Sequence, residues 1–390
     1  MSTNRRLTFV ITSLGLGGAQ QQVRSLCARF RGRGGWDVDV VSLLDLAVAP
    51  PTGALPDGVA VTSLGMRRRP ADVLALPRLV RHLRARRPDV VHAHMVHANL
   101  LARLARPFAR VPVLVCTAHS PYEGGRAIDT AYRATDRLAS VTTNVSAHAA
   151  RGFVERGAVP AARILVVANG VEVDAYGPRL EPAERGALRT ELGVPPGRFA
   201  WLSAGRLARE KDLGTLLHAF RTLLGRNPEQ HLVIAGDGSE RTELERRAHE
   251  LGLGAHVSFV GFRSDVVRLM RGLDAFTMSS AWEGLPIVLL EAGACRLPSV
   301  ATDVGATNEV LLDRVTGRLA PPGDPEALAA AMADVAGLGS TDRERMGEAA
   351  RAHVAANYDL DRVVDAWEGL YEELLAGRPV SARRPAARAR

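Results

Sequence analysis

The sequence predicts an α/β protein of two doubly wound, parallel-sheet domains facing a central cleft. Three observations lead there. Short apolar runs alternate with helical patterns along most of the chain. That order suits a parallel sheet, in which each strand must be returned through a crossover. Glycine-rich turns close several of the runs, as in GLGG at Gly15–Gly18 and AGDG at Ala235–Gly238. The length of 390 residues suits two cores of ordinary size.

The elements follow in order. The first half opens with a strand at Leu7–Thr12, a turn at Ser13–Gly18 and a helix at Ala19–Arg31. Strands at Trp36–Leu43 and Val59–Ser63 precede a helical stretch at Ala71–Arg87. Strands at Val90–Ala93, Val111–Thr117, Ser140–Val145 and Ile164–Val167 complete this half. Proline and glycine then break the alternation in VEVDAYGPRLEPAE, from Val171 to about Glu184. The linker is placed there, and the first domain at residues 1–175.

The second domain, residues 176–357, repeats the scheme. Strands at Phe199–Ala204, His231–Ala235, Val257–Val260, Ala275–Met278 and Ser299–Thr302 alternate with helices. Those helices are Asp212–Leu224, Glu240–Leu251, Val266–Gly272 and Pro286–Cys295, followed by Asp324–Val335 and Asp342–Asn357. Both halves therefore read as Rossmann-like. Val363, Val364, Trp367, Leu370, Tyr371 and Leu374 recur at helical spacing in Asp361–Leu375, a closing helix within residues 358–377. The basic tail, residues 378–390, has little to bury and is expected to be disordered.

Composition excludes several classes. A chain 46% hydrophobic and 24% charged is not disordered throughout. Cys27, Cys116 and Cys295 lack CxxC spacing, which fits reduced thiols better than a disulfide framework. The first apolar run is too short for a signal-peptide core, and no run approaches a membrane span. The expected location is the cytoplasm, at or near the inner face of the membrane. Residues 1–178 carry 23 arginines against 12 acidic residues, whereas 179–377 carry 22 basic against 30 acidic. Among 50 basic residues only Lys211 is lysine. Either it survives by chance, or it marks a position that needs a compact, flexible point charge instead of a planar fork.

Several residues are candidates for chemistry. Gly17 and Gly18 follow a strand and open a helix, so they can hold a phosphate or sugar, or simply form a tight turn. A dinucleotide fingerprint fails there because Gln20 stands at its third glycine. Asp39 lies where a ribose-binding acid would sit. Asp37 and Asp39 also form a D-x-D, but within a strand that alternates at period two, and no metal site is expected. His92, His94 and His119 fall at carboxyl ends of strands, where doubly wound sheets bind ligands. Of these, His119 is the candidate catalytic residue.

The second half concentrates charge at one rim. Arg206 ends a strand and Lys211 precedes the next helix, a pair suited to a diphosphate leaving group. Gly236 and Phe262 lie in neighbouring strand-end loops. Glu283, Gly284, Leu285 and Pro286 form the approach to a helix that carries Glu291 on an otherwise apolar surface. Pro286 fits the first helical position, and an acid so placed needs a polar partner.

Glu283 and Glu291, with seven residues between them, resemble the E-x7-E motif of glycosyltransferase family 4, whose members are retaining enzymes of GT-B fold. Arg206 and Lys211 match that family's R-x4-K. The GLGG loop, the TAHS histidine and the VANGV segment fit the same pattern, across about residues 7–375. The resemblance implies a GT-B fold and transfer of a hexose-type sugar from a nucleotide diphosphate sugar, UDP first and GDP second, with no cofactor and no metal. By position, Gly17 and Gly18 would approach the diphosphate, and Arg206 and Lys211 would stabilise it as it leaves. Glu291 would bind the ribose and Glu283 the donor sugar. His119 would contact the sugar, and the Phe262 loop would lie against the base. The closing helix would pack back on the first domain.

The expected acceptor is a saccharide or lipid-linked saccharide. The TTNVSAHA and YEGGR segments resemble members from bacterial surface-polysaccharide clusters. A small natural-product scaffold as acceptor, or a nucleotide-sugar epimerase of the same fold, is the alternative. No nucleic-acid partner is implied. The stretch Arg67–Arg87, with eight arginines among Leu74, Leu76, Leu79, Val80 and Leu83, is either a basic amphipathic face for anionic lipid or a solvated surface.

Overall fold

The computed structural model describes residues 4–15, 17–47, 55–67, 72 and 74–378. The basic tail beyond Arg378 and residues 68–71 and 73 of the arginine-rich stretch lie outside the described residues. The chain divides into two compact units, one of residues up to Gly170 together with Leu360 onward, the other Val171–Asp359.

The first unit contains β1 (Arg5–Ile11), α1 (Gly18–Arg33), β2 (Trp36–Leu44), β3 (Ala60–Met66), α2 (Ala75–Arg86) and β4 (Val90–His94). It continues through α3 (Val96–Ala109), β5 (Val113–Ala118), α4 (Arg126–Thr135), β6 (Val141–Asn144), α5 (Ala147–Glu155) and β7 (Ile164–Val166). The strands form one parallel sheet in the order β3-β2-β1-β4-β5-β6-β7. The order reverses between β1 and β4, so loops after those strands diverge and leave a crevice at their carboxyl ends. Residues Leu7–Ile11 of β1 are buried on both faces, as expected of a central parallel strand. Periodicity did not single out α3, α4 and α5. In α3 it is masked by Pro107 and by a fully buried arginine, Arg103.

The second unit contains α6 (Pro182–Glu191), β8 (Phe199–Ala204), α7 (Leu213–Arg226), β9 (Gln230–Ala235), α8 (Arg241–Glu250), β10 (Val257–Gly261) and α9 (Val266–Gly272). Next come β11 (Ala275–Met278), α10 (Ile287–Ala294), β12 (Ser299–Thr302), α11 (Thr307–Val310), β13 (Gly317–Ala320), α12 (Pro325–Ala336) and α13 (Ser340–Tyr358). Its parallel sheet runs β10-β9-β8-β11-β12-β13, with the reversal between β8 and β11. Trp201, Leu216, Phe220, Leu232 and Met332 are among the residues of its core.

The segment expected as a linker is packed structure. Val171, Val173, Tyr176 and Leu180 are buried, and α6 begins at Pro182. Arg179, Arg185 and Arg189 all reach Asp274, which also accepts from the Ala200 amide at 2.8 Å. The breakers mark a change of direction, and the apolar residues between them still find a core.

The last helix, α14 (Leu360–Leu375), belongs to the first unit. Its buried stripe of Leu360, Val363, Val364, Trp367, Leu370 and Tyr371 packs with Phe9, Phe30 and Trp36. Arg33 pairs with Asp361 and Asp365 on its outer side.

Candidate active site

In the second unit the loops at the carboxyl ends of β8, β9 and β11 are pressed together. Gly236, at φ +147°, is one position where only glycine fits, since a Cβ there would stand 1.8 Å from the Gly205 carbonyl oxygen. A short turn at Arg209–Lys211 follows β8, and Asp212 caps α7 by accepting from the Thr215 amide. That turn is stitched to the loop after β11: Ser279 Oγ donates to the Lys211 carbonyl at 2.9 Å, and the Ala281 amide to the Glu210 carbonyl at 2.9 Å.

These constraints bring together two residues that are 72 positions apart. Lys211 Nζ lies 2.5 Å from Glu283 Oε1, and Ser280 Oγ donates to the same oxygen at 2.7 Å. Glu283 is largely buried. Its backbone is held from behind by Gly305 at φ +59°, where a Cβ would approach the Glu283 carbonyl oxygen to 2.1 Å. The Ala306 amide donates to Gly284. Ser203, Gly205, Arg206, Lys211, Ser279 and Ser280 line a hollow at this rim. Arg206 differs from Lys211 in being mostly exposed and paired, among the described residues, with its own-loop Glu210.

Glu291 sits inside α10, where the Tyr176 hydroxyl donates to it at 3.2 Å. Pro286 occupies the capping position just before α10, at φ −75° and ψ 96°, one residue earlier than expected. Phe262 and Trp282 are both more than half exposed. Sequence reasoning passed over Tyr176 and Trp282. Trp282 adjoins Glu283, and an exposed tryptophan beside a candidate acid was the available signal.

In the first unit, Gly17 caps α1 without any side-chain cap, and Gly18 is its first residue. Gln20 turns its amide toward Ser13 at 3.3 Å. Asp39 is consumed by the fold, accepting from Thr8 at 2.7 Å and Arg86 at 3.1 Å, with His82 at 2.8 Å. Arg86 also binds Asp37 at 2.6 Å. The D-x-D pair therefore faces a guanidinium supplied by α2, and Asp39 is a structural acid.

The strand-end histidines differ in role. His92 is a core residue bonded to Tyr371 at 2.6 Å and Thr117 at 2.6 Å. His94 Nδ1 meets His119 Nε2 at 3.0 Å. The second ring nitrogens, His94 Nε2 and His119 Nδ1, are buried without a hydrogen-bond partner among the described residues. Burial pushes His92 and His94 well below the ordinary imidazole range and His119 down to about 4. All three are neutral at pH 7, so the His94–His119 contact is one N–H donating to one lone pair.

This cluster makes the fold acid-sensitive. Between 6.5 and the depressed folded values the unfolded chain binds more protons, so stability is present above 6.5 and is lost as pH falls. Each such histidine contributes a slope of about 1.4 kcal/mol per pH unit in that window. Calorimetry at pH 7 and pH 5 should show a lower melting temperature at pH 5, and equal values would contradict a neutral, buried cluster.

With the geometry in hand, the relatives are informative. Residues 16–175 match the family model described as glycosyltransferase family 4, and residues 184–353 match that of glycosyl transferases group 1. A D-inositol 3-phosphate glycosyltransferase of Saccharomonospora viridis is 32% identical over 315 residues, covering 74% of this chain and 70% of that protein. An Escherichia coli enzyme named UDP-Gal:alpha-D-GlcNAc-diphosphoundecaprenol alpha-1,3-galactosyltransferase is 24% identical over 321 residues, 79% of this chain and 81% of its own. Several other relatives match over about half of their length, as does the alpha-D-kanosaminyltransferase of Streptomyces kanamyceticus. Among solved structures, HepE of Anabaena with UDP and glucose superposes with a TM-score of 0.82 at 23% identity, covering 95% of this chain and 100% of that one. Two parallel-sheet units of this order, matching these family models and superposing on these structures, are those of a GT-B glycosyltransferase. The chain belongs to glycosyltransferase family 4.

Proposed function

We propose that the protein is a retaining hexosyltransferase that moves a sugar from a nucleotide diphosphate donor, UDP before GDP, to a saccharide or lipid-linked saccharide in surface-polysaccharide assembly. The observation that carries this reading is the Lys211–Glu283 pair: the chain's only lysine, which lines the hollow at the ends of β8 and β11, meets the first acid of the E-x7-E motif. Negative charge grows on the diphosphate as its bond to the sugar breaks, and cations already in place at that oxygen stabilise the transition state. Lys211 and Arg206 take that role. Glu283 steadies the positive charge developing on the sugar ring, and Ser280 holds the carboxylate in place. Glu291, oriented by Tyr176, takes the ribose hydroxyls. Gly236, Gly284, Leu285 and Pro286 line the donor, and the exposed Phe262 ring lies against the base. Gly17 and Gly18 are assigned to the diphosphate and His119 to the sugar, which it meets as a neutral imidazole.

UDP and a lipid-linked acceptor are favoured because the Escherichia coli relative is named for both and HepE was crystallised with UDP and glucose. The second reading, a small scaffold as acceptor, is favoured by the relatives named for D-inositol 3-phosphate and kanosaminyl transfer. Contact with anionic lipid through the arginine-rich stretch is a narrower proposal than the run of arginines suggests. Arg86 is committed to Asp37 and Asp39, while Arg78 and Arg84 donate to the Leu64 and Phe108 carbonyls. Among the described residues, Arg81 and Arg87, with the exposed Leu74 and Phe108, remain for a lipid surface.

A thermal-shift comparison of UDP, GDP and ADP in the presence of EDTA tests the donor. UDP at a hundred times its dissociation constant should stabilise the protein by about 2.7 kcal/mol. No shift with any of the three overturns the donor assignment, and a shift that requires added metal overturns the metal-independent reading.

A further inference from the structure

The loop that presents His119 rests on a carboxylate that the proposed mechanism does not use. Glu123 lies four residues on, between β5 and α4. Its Oε1 accepts from the His119 backbone amide at 3.1 Å, and its Oε2 from the Tyr132 hydroxyl at 2.6 Å. The Tyr132 hydroxyl in turn accepts from Asn99 Nδ2 at 2.9 Å, and the same amide group reaches the Thr117 carbonyl at the end of β5 at 2.9 Å. The Arg103 guanidinium lies over the Tyr132 ring at 4.6 Å and donates to the Tyr132 carbonyl at 3.0 Å. One carboxylate thus joins Tyr132 of α4 to the residue after β5 that carries the imidazole, and Asn99 of α3 braces the Tyr132 hydroxyl. Resting on the assignment of His119 to the donor sugar, we propose that Glu123 is a positioning residue: clamped between Tyr132 and the His119 amide, it fixes the backbone from which the imidazole works.

The clamp needs both oxygens as acceptors. The ionised carboxylate supplies them, whereas a protonated one must turn one oxygen into a donor. Burial raises the Glu123 carboxyl to about 7, against the opposing pull of the Tyr132 hydroxyl, the His119 amide and the Arg103 charge. The other titratable groups on the flanking elements are His94, against His119, and Asp129 on α4 with its partner Arg156, just after α5. The neutral His94 and His119 rings leave Arg103 as the nearby cation. The sign is definite: the folded state holds this proton between 4.5 and about 7, so the group favours folding at the lower pH and costs stability as pH rises through 7. The clamp itself forms in the opposite direction, as the carboxylate ionises.

The experiment compares the full-length protein with Glu123→Gln, Glu123→Ala and His119→Ala, using UDP-glucose and UDP-galactose turnover to free UDP, and UDP thermal shift, from pH 6 to 8.5. Glu123→Ala should lower kcat at least tenfold with the donor KM within threefold, and with the UDP shift intact. The natural protein should show a rise in kcat near pH 7 as the carboxylate ionises, and Glu123→Gln, fixed in the neutral geometry, should lose it. Unchanged kcat in Glu123→Ala, or a natural-type inflection in Glu123→Gln, overturns the proposal; the second measurement decides if the alanine variant does not fold. A fully active His119→Ala variant instead overturns the assignment of His119, and does so whatever Glu123 does.

Discussion

Lys211→Ala is expected to lower sugar transfer by about 10³-fold, the cost of removing one preorganised charge from a developing oxyanion. The expectation rests on position and on chemistry. The ammonium is 2.5 Å from Glu283 and lines the hollow after β8, and no other lysine exists in the chain to replace it. Arg206 is mostly exposed and already bound to Glu210. Lys211→Arg should restore little, because a planar fork cannot occupy a turn so closely tied to Ser279 and Ala281. The variant also leaves Glu283, among the described residues, with Ser280 as its remaining side-chain partner, so a modest loss of stability accompanies the loss of rate. Circular dichroism separates the two effects. A folded Lys211→Ala variant that transfers sugar at the natural rate would refute the diphosphate assignment.

Asp274→Ala is expected to be the most destabilising single substitution proposed for the second unit, at about 3 kcal/mol, near the lower end for breaking a buried ion pair because its arginines keep some contact with solvent. Three guanidiniums, from Arg179, Arg185 and Arg189, converge on this one carboxylate, and the Ala200 amide shares it. Removing it leaves like charges facing one another where α6 joins the sheet. Asp274→Asn keeps an acceptor for Ala200 and should fall between the two. Urea unfolding of the three proteins checks the order, and an alanine variant within about 0.5 kcal/mol of the natural protein, the range of an ordinary surface change, would mean the network is ornamental.

Much of the fold was legible because central parallel strands are buried on both faces and read as short apolar runs, as Leu7–Ile11 and Gln230–Ala235 do. Less visible were elements whose burial is carried by polar or aromatic contacts, such as α3 with its internal Arg103. The segment from Val171 to Leu180 was also hidden, since its apolar residues are spaced by breakers. The candidate site was legible where its residues belong to a motif, as with Glu283, Glu291, Arg206 and Lys211. Partnership was not. Nothing local in the sequence joins Lys211 to Glu283 or Tyr176 to Glu291; those pairs exist only once strand order is fixed.

The return of α14 to the first unit has a consequence for biosynthesis. The sheet of β1 to β7 is complete when Val166 is made, yet Trp367 and Tyr371, which seal Phe30 and Trp36 and supply the hydroxyl on His92, lie about 200 residues further on. At a translation rate of about 5–20 residues per second, that interval is about 10–40 s. During it the ribosome carries an N-terminal unit with one apolar face uncovered, while the second unit, which is contiguous in the chain, can finish first. The first unit is thus completed by a helix made only after every strand of the second.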